Sequence, residues 1–192
     1  MTGPLLLLGL LLGADPGGPI CAAPAAGAVE ACTPTREAAL RELLVPLFGL
    51  IDGPVTPEMW RALPPEALPM LERIADGRGR AGDRARALEG AASLGSDGAI
   101  HRRLASDGAA PFAVRAAAIR GLGLLVPAPQ LKAVLAPLLE RDPDLRIRST
   151  AAGALASSAS PSTCAAVRAQ AQREGANGRP AFQRALTACG DR

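Results

Sequence analysis

The residues that could do chemistry in this 192-residue chain are few and scattered. His101 is the only histidine, so it would have to serve as the base of any Ser-His-Asp triad, and a His-rich metal site is excluded. It lies between the apolar residues Ile100 and Leu104 on a predicted outer helix, where we expect a solvated or partly packed surface histidine. Carboxylates such as Glu66 and Glu72 occupy ordinary helix-surface positions. The sequence therefore predicts no catalytic residue and no enzyme.

Cofactor and nucleic-acid motifs are also missing from the sequence. The four cysteines lack the short paired spacings of a zinc site, and the chain has no glycine-rich phosphate loop. The formal net charge is +3, and it is spread along the chain instead of being clustered on one face as a nucleic-acid footprint requires. We therefore expect no metal, no cofactor and no nucleic-acid partner.

The composition favours a fold made only of helices. Apolar residues form 48% of the chain and aromatic residues only 2%, so Ala, Leu, Val and Ile must fill the core. Ala and Leu dominate the long segments, and both have a low cost in a helix interior. Small side chains also let helix backbones approach closely. An all-α fold follows from these features.

The first 28 residues predict an export signal. The apolar run Leu5–Leu12 has the length of a signal-peptide core and is too short to span a bilayer. The small residues Ala26–Ala28 suit cleavage, so we expect the mature protein to begin at Val29 in the periplasm or outside the cell. A minor alternative is a lipoprotein anchored through Cys21. The chain has no segment that predicts a stable membrane span.

One pattern recurs four times: an Arg, a core residue three positions later, a small residue six positions later and an apolar residue seven positions later. These offsets lie close to one stripe of a helix, so each unit predicts an amphipathic helix that buries a narrow face of small residues. The four arginines are 31, 33 and 31 residues apart. The instances are Arg84/Ala87/Gly90/Ala91, Arg115/Ala118/Gly121/Leu122, Arg148/Ala151/Ala154/Leu155 and Arg179/Phe182/Ala185/Leu186.

Another helix is predicted before each of these four, and a turn rich in Asp, Gly, Asn or Pro separates the two helices of each pair. Paired helices at a period near thirty-two residues predict an α-solenoid. The predicted first helices are Glu66–Ala75, Ala99–Ser106, Pro129–Glu140 and Ser162–Arg173. The predicted second helices are Gly82–Leu94, Pro111–Leu125, Leu145–Ser157 and Arg179–Cys189, and the last pair is divided by a turn at Gly175–Gly178.

Two of these segments resemble a known family. Glu140–Leu155 (ERDPDLRIRSTAAGAL) is similar to a HEAT repeat of the phycobilisome-lyase-like type, and Val114–Gly123 (VRAAAIRGLG) is a second match. The resemblance covers about residues 63–192 and suggests an exported bacterial HEAT-repeat protein. It implies an all-α fold: a short right-handed α-solenoid of about four HEAT-like helix pairs, with an N-terminal helical cap.

The resemblance also implies a structural role for the four repeat arginines. In the family, the Arg near the start of a second helix often meets an Asp of a neighbouring turn, which forms a ladder between repeats. Arg84, Arg115, Arg148 and Arg179 match this position. The acidic partners that the sequence offers are Asp76, Asp107, Asp142 or Asp144, and Glu174 in the last repeat.

Residues 29–62 do not follow the repeat period. Leu40, Leu43, Leu44 and Leu47 form a helical stripe between Thr35 and Gly49, and a Pro-rich link then leads to a short helix over Glu58–Leu63 that carries Trp60. Because the end of a solenoid needs a cover, we interpret residues 29–62 as an N-terminal cap and residues 63–192 as the repeat domain.

The last hairpin predicts a disulfide. Cys164 lies nine residues before the end of its helix at Arg173, and Cys189 lies ten residues after the start of the next helix at Arg179. Antiparallel neighbours at nearly equal distance from their turn face one another, and an exported protein meets an oxidising compartment. We therefore expect a Cys164–Cys189 bond that staples the end of the array. Cys32 would be left over, either free or available to another chain.

The leading functional hypothesis is a non-enzymatic scaffold or adaptor that binds an unidentified protein through the surface of its second helices. Five positions after the repeat arginines, this surface carries Glu89, Arg120, Gly153 and Arg184, and an ordinary solvated face explains them equally well. One alternative, which follows from the resemblance, is a chromophore lyase or chaperone. Another is a structural envelope component.

Overall fold

The computed structural model describes residues 29–49 and 55–191, with side chains from residue 36 onward. In these ranges the only regular secondary structure is helical. The chain divides into two compact units, Met1–Gly49 and Leu50–Arg192. The predicted signal peptide, its cleavage site and Cys21 lie outside the described residues, as does the side chain of Cys32. No helix in the described ranges is long and apolar enough to cross a membrane.

The described part of the first unit forms one helix, α1, over Val29–Gly49. It begins six residues before the predicted start at Thr35. Leu44 and Leu47 are buried, which agrees with the predicted apolar stripe, whereas Val45 on another side of the helix is 67% exposed. The role of this helix as a cap stays a prediction.

The second unit begins with the short helix α2, Pro57–Arg61, which carries Trp60. This indole is only 1% exposed. It packs against the helix of Gly90, where an added Cβ would lie 2.7 Å from Trp60 Cε3. A glycine is required there because any larger residue would push the indole away. The Trp60 helix therefore packs on the first repeat, within the second unit.

Four helix pairs follow, as predicted. The first helices of the pairs are α3 (Ala67–Asp76), α5 (Ala99–Ser106), α7 (Ala128–Arg141) and α9 (Pro161–Arg173). The second helices are α4 (Ala81–Ser93), α6 (Phe112–Leu125), α8 (Leu145–Ser157) and, in the last pair, α10 (Gly175–Gly178), a 3-10 helix (Arg179–Phe182) and α11 (Gln183–Ala188).

The second helices form one continuous layer. Helix α4 packs against α6, α6 against α8, and α8 against α11, while the first helix of each pair packs against its own second helix. All twelve positions that the repeat pattern assigns to the buried face are buried. Ala87, Ala118 and Ala151, which follow the repeat arginines by three residues, are completely buried. The all-α solenoid is therefore confirmed, and its handedness stays a prediction.

The last pair differs from the prediction. Gly175–Gly178 is a single helical turn instead of an open turn, and the helix predicted over Arg179–Cys189 is divided into the 3-10 helix and α11. Gly175 has φ +64°, a left-handed conformation that breaks the helix direction after α9. Pro180 in the first turn of the 3-10 helix has no backbone N–H to donate to a preceding carbonyl. These two residues account for the interruption.

The disulfide predicted for the last hairpin is present. Cys164 in the first turns of α9 is bonded to Cys189 directly after α11, with Cα atoms 5.5 Å apart. Near it, Arg168 Nε donates to Asp191 Oδ1 at 2.9 Å and its Nη2 donates to the Cys189 carbonyl at 2.7 Å. The end of the last helix is thus tied to α9 by a covalent bond and by an ion pair.

Candidate functional site

The second-helix layer carries an open groove with a volume of about 740 Å³. We call it the second-helix groove. Small residues form much of its floor, and Val55, Pro57 and Trp60 line it as well. All four positions that the sequence predicted for a partner surface line this groove: Glu89, Arg120, Gly153 and Arg184. Four hydroxyl side chains line it as well: Ser93, Ser149, Thr150 and Ser157.

The two arginines that line the groove differ in their ion pairing. Arg120 Nη2 lies 2.9 Å from Glu89 Oε1, and this half-exposed ion pair joins α6 to α4. Arg184, which is exposed on α11, forms no ion pair with any described residue. Among the described residues that line the groove, Glu89 is the only acidic one and there are two arginines, so this lining carries a net positive charge.

The hydroxyl groups in the groove donate hydrogen bonds to backbone carbonyls of their own helices. Ser93 Oγ donates to the carbonyl of Glu89, Thr150 Oγ1 to that of Arg146, and Ser157 Oγ to that of Gly153, at distances from 2.6 to 3.0 Å. A hydroxyl oxygen that donates its one proton still has lone pairs. These side chains can therefore act as hydrogen-bond acceptors toward the groove. Sequence reasoning missed them because serine and threonine are common on helix surfaces.

Gly153 is an unusual residue in this surface. It lies in the interior of α8, and an added Cβ would meet no atom within 4 Å. By contrast, a Cβ on Gly123 would lie 3.3 Å from Ala154 Cβ, and one on Gly90 would strike Trp60. A glycine in a helix interior costs about 1 kcal/mol relative to alanine. At Gly153 no packing contact explains that cost, and the effect of the missing side chain is to keep the groove open.

His101 lies directly behind the groove, and our expectation of a solvated or partly packed histidine was wrong. The side chain is completely buried, and Nε2 lies 3.0 Å from the carbonyl of Leu88. Because a carbonyl can only accept, Nε2 carries the proton, and Nδ1 is then an acceptor that finds no donor among the described residues. Gly121 makes the room, since a Cβ there would lie 2.4 Å from His101 Cδ2.

This environment keeps the imidazole neutral. Burial lowers the pKa of His101 below its ordinary value of 6.5, while the hydrogen bond to Leu88 and the charges of Glu72 and Asp97 act in the opposite direction. The buried histidine is therefore a neutral core residue near pH 7. In the described residues, no group of three or more His, Cys, Asp and Glu side chains could hold a metal ion.

The repeat arginine of the second pair forms a buried link. Arg115 Nε donates to the carbonyl of Ala105 at 3.1 Å, which ties α6 to the end of its partner helix α5. Its guanidinium also pairs with the carboxylate of Asp142 in the next turn, and the two side chains are only 9% and 5% exposed. The ladder that the family resemblance implies is therefore present between the second and third pairs.

The repeat arginine of the third pair continues this ladder. Arg148 Nε and Nη2 donate to the two oxygens of Glu174 at 2.6 and 2.8 Å, and Nη1 donates to the Asp142 carbonyl at 2.7 Å. This bidentate pair lowers the pKa of Glu174 and raises the pKa of Arg148. The chain Arg115–Asp142–Arg148–Glu174 thus connects three successive pairs.

The two outer arginines do not follow the pattern. Arg84 Nε donates to the Ala75 carbonyl at 2.9 Å, and Arg179 is exposed, but neither forms an ion pair with a described residue. Our assignment of Asp76, Asp107 and Asp144 as possible ladder partners was wrong, because each has a nearer partner. Asp76 pairs with Arg103, Asp107 accepts from the Ala109 N–H, and Asp144 caps α8 and pairs with Arg146.

The fold and the groove define a class: an α-solenoid of helix pairs with an open surface on one layer. Residues 103–187, from α5 to α11, match the family model of HEAT repeats, which agrees with the solenoid of helix pairs. The match is to HEAT repeats in general, so the likeness to the lyase type stays a prediction. No curated protein and no solved structure matches the chain. HEAT repeats usually mediate protein interactions and generally carry no enzymatic activity.

The ladder predicts a graded response to alanine substitution. Arg115→Ala leaves Asp142 buried without its charge partner and should cost about 3–5 kcal/mol of unfolding free energy. Arg148→Ala removes a partly buried pair and should cost about 1.5–3 kcal/mol. Arg84→Ala is the matched control, because it removes only a bond to a carbonyl and should cost about 0.5–1.5 kcal/mol. Urea unfolding would measure all three. Equal losses in Arg84→Ala and Arg115→Ala would contradict a contribution from the acidic partners.

His101 predicts a loss of stability in mild acid. In the unfolded chain this histidine takes up a proton near pH 6.5, whereas the native protein resists protonation because the pKa is lowered. The unfolding free energy should therefore fall as the pH drops from about 7.5 to 5, by at most about 1.4 kcal/mol per pH unit. His101→Gln keeps a donor for Leu88 and should flatten this dependence. Parallel curves for the two proteins in urea unfolding across this range would show that His101 does not cause it.

Proposed function

We propose that this protein is an exported, non-enzymatic scaffold or adaptor that binds another protein in the second-helix groove. The observation that carries the proposal is the coincidence of the predicted surface with the open groove. Glu89, Arg120, Gly153 and Arg184 come from four different repeats, and all four line one cavity. A repeat array presents such a surface to an elongated partner segment.

The composition of the groove supports a protein partner over a chromophore. Sites for small molecules are concave and lined mainly by apolar and aromatic side chains. The one aromatic residue that lines this groove is Trp60, and its side chain is buried in the first repeat. The remainder of the lining combines small residues, hydroxyl groups and three charged side chains with the aliphatic residues Val55, Pro57, Leu124 and Pro180, and this mixture suits a polypeptide better than a planar tetrapyrrole. The lyase-like alternative is therefore less well supported.

The two sets of predicted residues have separate roles in this proposal. The repeat arginines Arg115 and Arg148 donate to carbonyls and carboxylates inside the array, and neither lines the groove. Arg120 and Arg184 are half or more exposed and line the groove. We therefore assign stability to the first two and recognition to the second two.

Export is part of the proposal and rests on the sequence of residues 1–28. The Cys164–Cys189 bond supports it, because structural disulfides persist mainly in oxidising compartments. The bond closes the hairpin between α9 and α11.

Blocking the groove should abolish partner binding. Gly153→Leu places a bulky side chain into open space on the groove floor, so the array should still fold, as circular dichroism would verify. Ala133→Leu on the exposed side of α7 is the matched control. A protein captured in stoichiometric amounts from host extract by the wild type and by Ala133→Leu should be absent with Gly153→Leu. Equal capture by all three proteins would place the binding surface elsewhere.

Protein purified from its native host should start at or near Val29 and contain linked Cys164 and Cys189 peptides. Cleavage of the signal and transfer to an oxidising compartment together produce this form. N-terminal sequencing and non-reducing peptide mapping would test it. A chain that retains Met1 and carries free thiols at both cysteines would contradict export, and a lipid adduct on Cys21 would support the lipoprotein alternative.

A further inference from the structure

We infer that the partner of the second-helix groove is an acidic polypeptide segment whose carboxylates bind between Arg120 and Arg184, above Gly153. This inference rests on the proposed function and adds the chemistry of the partner. It is carried by the order of charges across the array, by the gap at Gly153 and by the hydrogen-bonding state of the surrounding side chains.

The order of charges comes from one equivalent position in four successive second helices. Read across the array, this row is Glu89, Arg120, Gly153 and Arg184. Helix α8, which carries the glycine, packs between α6 and α11, which carry the two arginines. Packed helix axes lie about 8–10 Å apart, so Arg120 and Arg184 project from the two helices that neighbour Gly153, and the Arg120 guanidinium is paired with Glu89 of α4 in the absence of a partner. Arginine forms paired hydrogen bonds with carboxylates, which are the matching groups on a polypeptide.

The two arginines have unequal internal partners. Arg120 is held by Glu89 at 2.9 Å, whereas Arg184 forms no ion pair with a described residue. Glu89 therefore competes with an incoming carboxylate for Arg120, and Arg184 is the stronger anchor. The positive excess at the Arg184 end of the row gives the groove a direction, with the acidic residues of the partner nearest to α11.

Gly153 provides the space that this arrangement requires. An added Cβ meets nothing within 4 Å, so the glycine leaves the floor open between the arginines. The neighbouring Thr150 and Ser157 donate their protons to carbonyls of α8 and present lone pairs to the groove. They can accept from backbone N–H groups of the same segment. The site thus offers donors for carboxylates at its sides and acceptors for peptide groups at its floor.

The test uses the full mature chain and a short fluorescein-labelled peptide made of Ala and Glu, followed by fluorescence anisotropy. Its matched peptide, with every Glu replaced by Gln, should bind about tenfold more weakly. Arg184→Gln should weaken binding of the acidic peptide by about tenfold, whereas Glu89→Gln should strengthen it by about twofold to fivefold because Arg120 is released. Opposite effects of two neutralising substitutions cannot come from a general loss of folding.

Gly153→Ala distinguishes the effect of Gly153 on peptide binding from its effect on the stability of α8. It should raise the melting temperature by a few degrees, because alanine favours the helix, and it should weaken peptide binding because it narrows the floor. The inference is overturned if Arg184→Gln and Glu89→Gln leave the binding of the acidic peptide unchanged. It is also overturned if Gly153→Leu binds this peptide as well as the wild type, or if duplex DNA binds more tightly than the peptide with the same dependence on Arg184.

The experiments distinguish a failure of the acidic-partner inference from a failure of the proposed function. If Gly153→Leu abolishes capture of the host partner while the charge substitutions have no effect on peptide binding, the groove is the interface and the acidic chemistry is wrong. If Gly153→Leu leaves capture of the host partner intact, the proposed function itself fails.

Discussion

The close approach of neighbouring second helices is the constraint on which the rest of this structure depends. With few aromatic residues, the chain cannot fill wide gaps between helices, so the helices must come together on faces of Ala, Gly and Leu. Ala87, Ala118 and Ala151 are completely buried in this layer, and Gly121 leaves room for an imidazole. Packing of this density tolerates little added volume, since even one extra methylene in a filled core is felt. The same constraint fixes the spacing of the groove above the layer.

A second consequence is that the turns must be held in place by polar groups. The turns of a helical array contain backbone carbonyls and carboxylates that packing of alanines cannot satisfy. Arg115 and Arg148 bind both kinds of group, and Asp142 joins them by offering its carboxylate to the first and its carbonyl to the second. A buried ion pair is expensive to desolvate, so its main effect is to penalise structures in which one partner is lost. The ladder therefore favours one register of successive repeats.

The second-helix groove contains a residue, Gly153, that lowers the stability of its own helix. Gly153 weakens its helix without any packing contact to compensate. Arg184 costs little stability, because water solvates its exposed charge, but it has no ion-pair partner among the described residues. Both features lie on one surface, whereas the opposite side of the second helices is filled and paired. An interaction surface must leave groups unsatisfied until a partner arrives, so this local departure from optimal stability is consistent with a binding role. The buried imidazole of His101 lies just behind Gly121 in the same floor, so its neutral state belongs to the packing on which the groove rests.

The sequence by itself determined the helices, their pairing and the buried face of each second helix. The repeat of Arg, Ala and small residues identifies one helical stripe, and the predicted bounds of Ala99–Ser106 and Leu145–Ser157 match the observed helices. Nearly equal distances from one turn were enough to pair Cys164 with Cys189, although the second helix of this pair is divided by a 3-10 helix. These are local properties, and they follow from periodicity and from turn residues.

The tertiary structure decided the remaining contacts, which join different repeats. Arg115 selected Asp142 because a carboxylate one repeat away lies nearest in space, while Asp107 and Asp144 bind within their own turns. His101 is buried because Gly121, on another helix, makes room for it, and no pattern around residue 101 reveals that vacancy. Likewise, the sequence placed Glu89, Arg120 and Arg184 on equivalent helix positions, but only the stacking of the repeats brought them to one groove. Contacts between repeats depend on side-chain shape in three dimensions, which a one-dimensional period does not record.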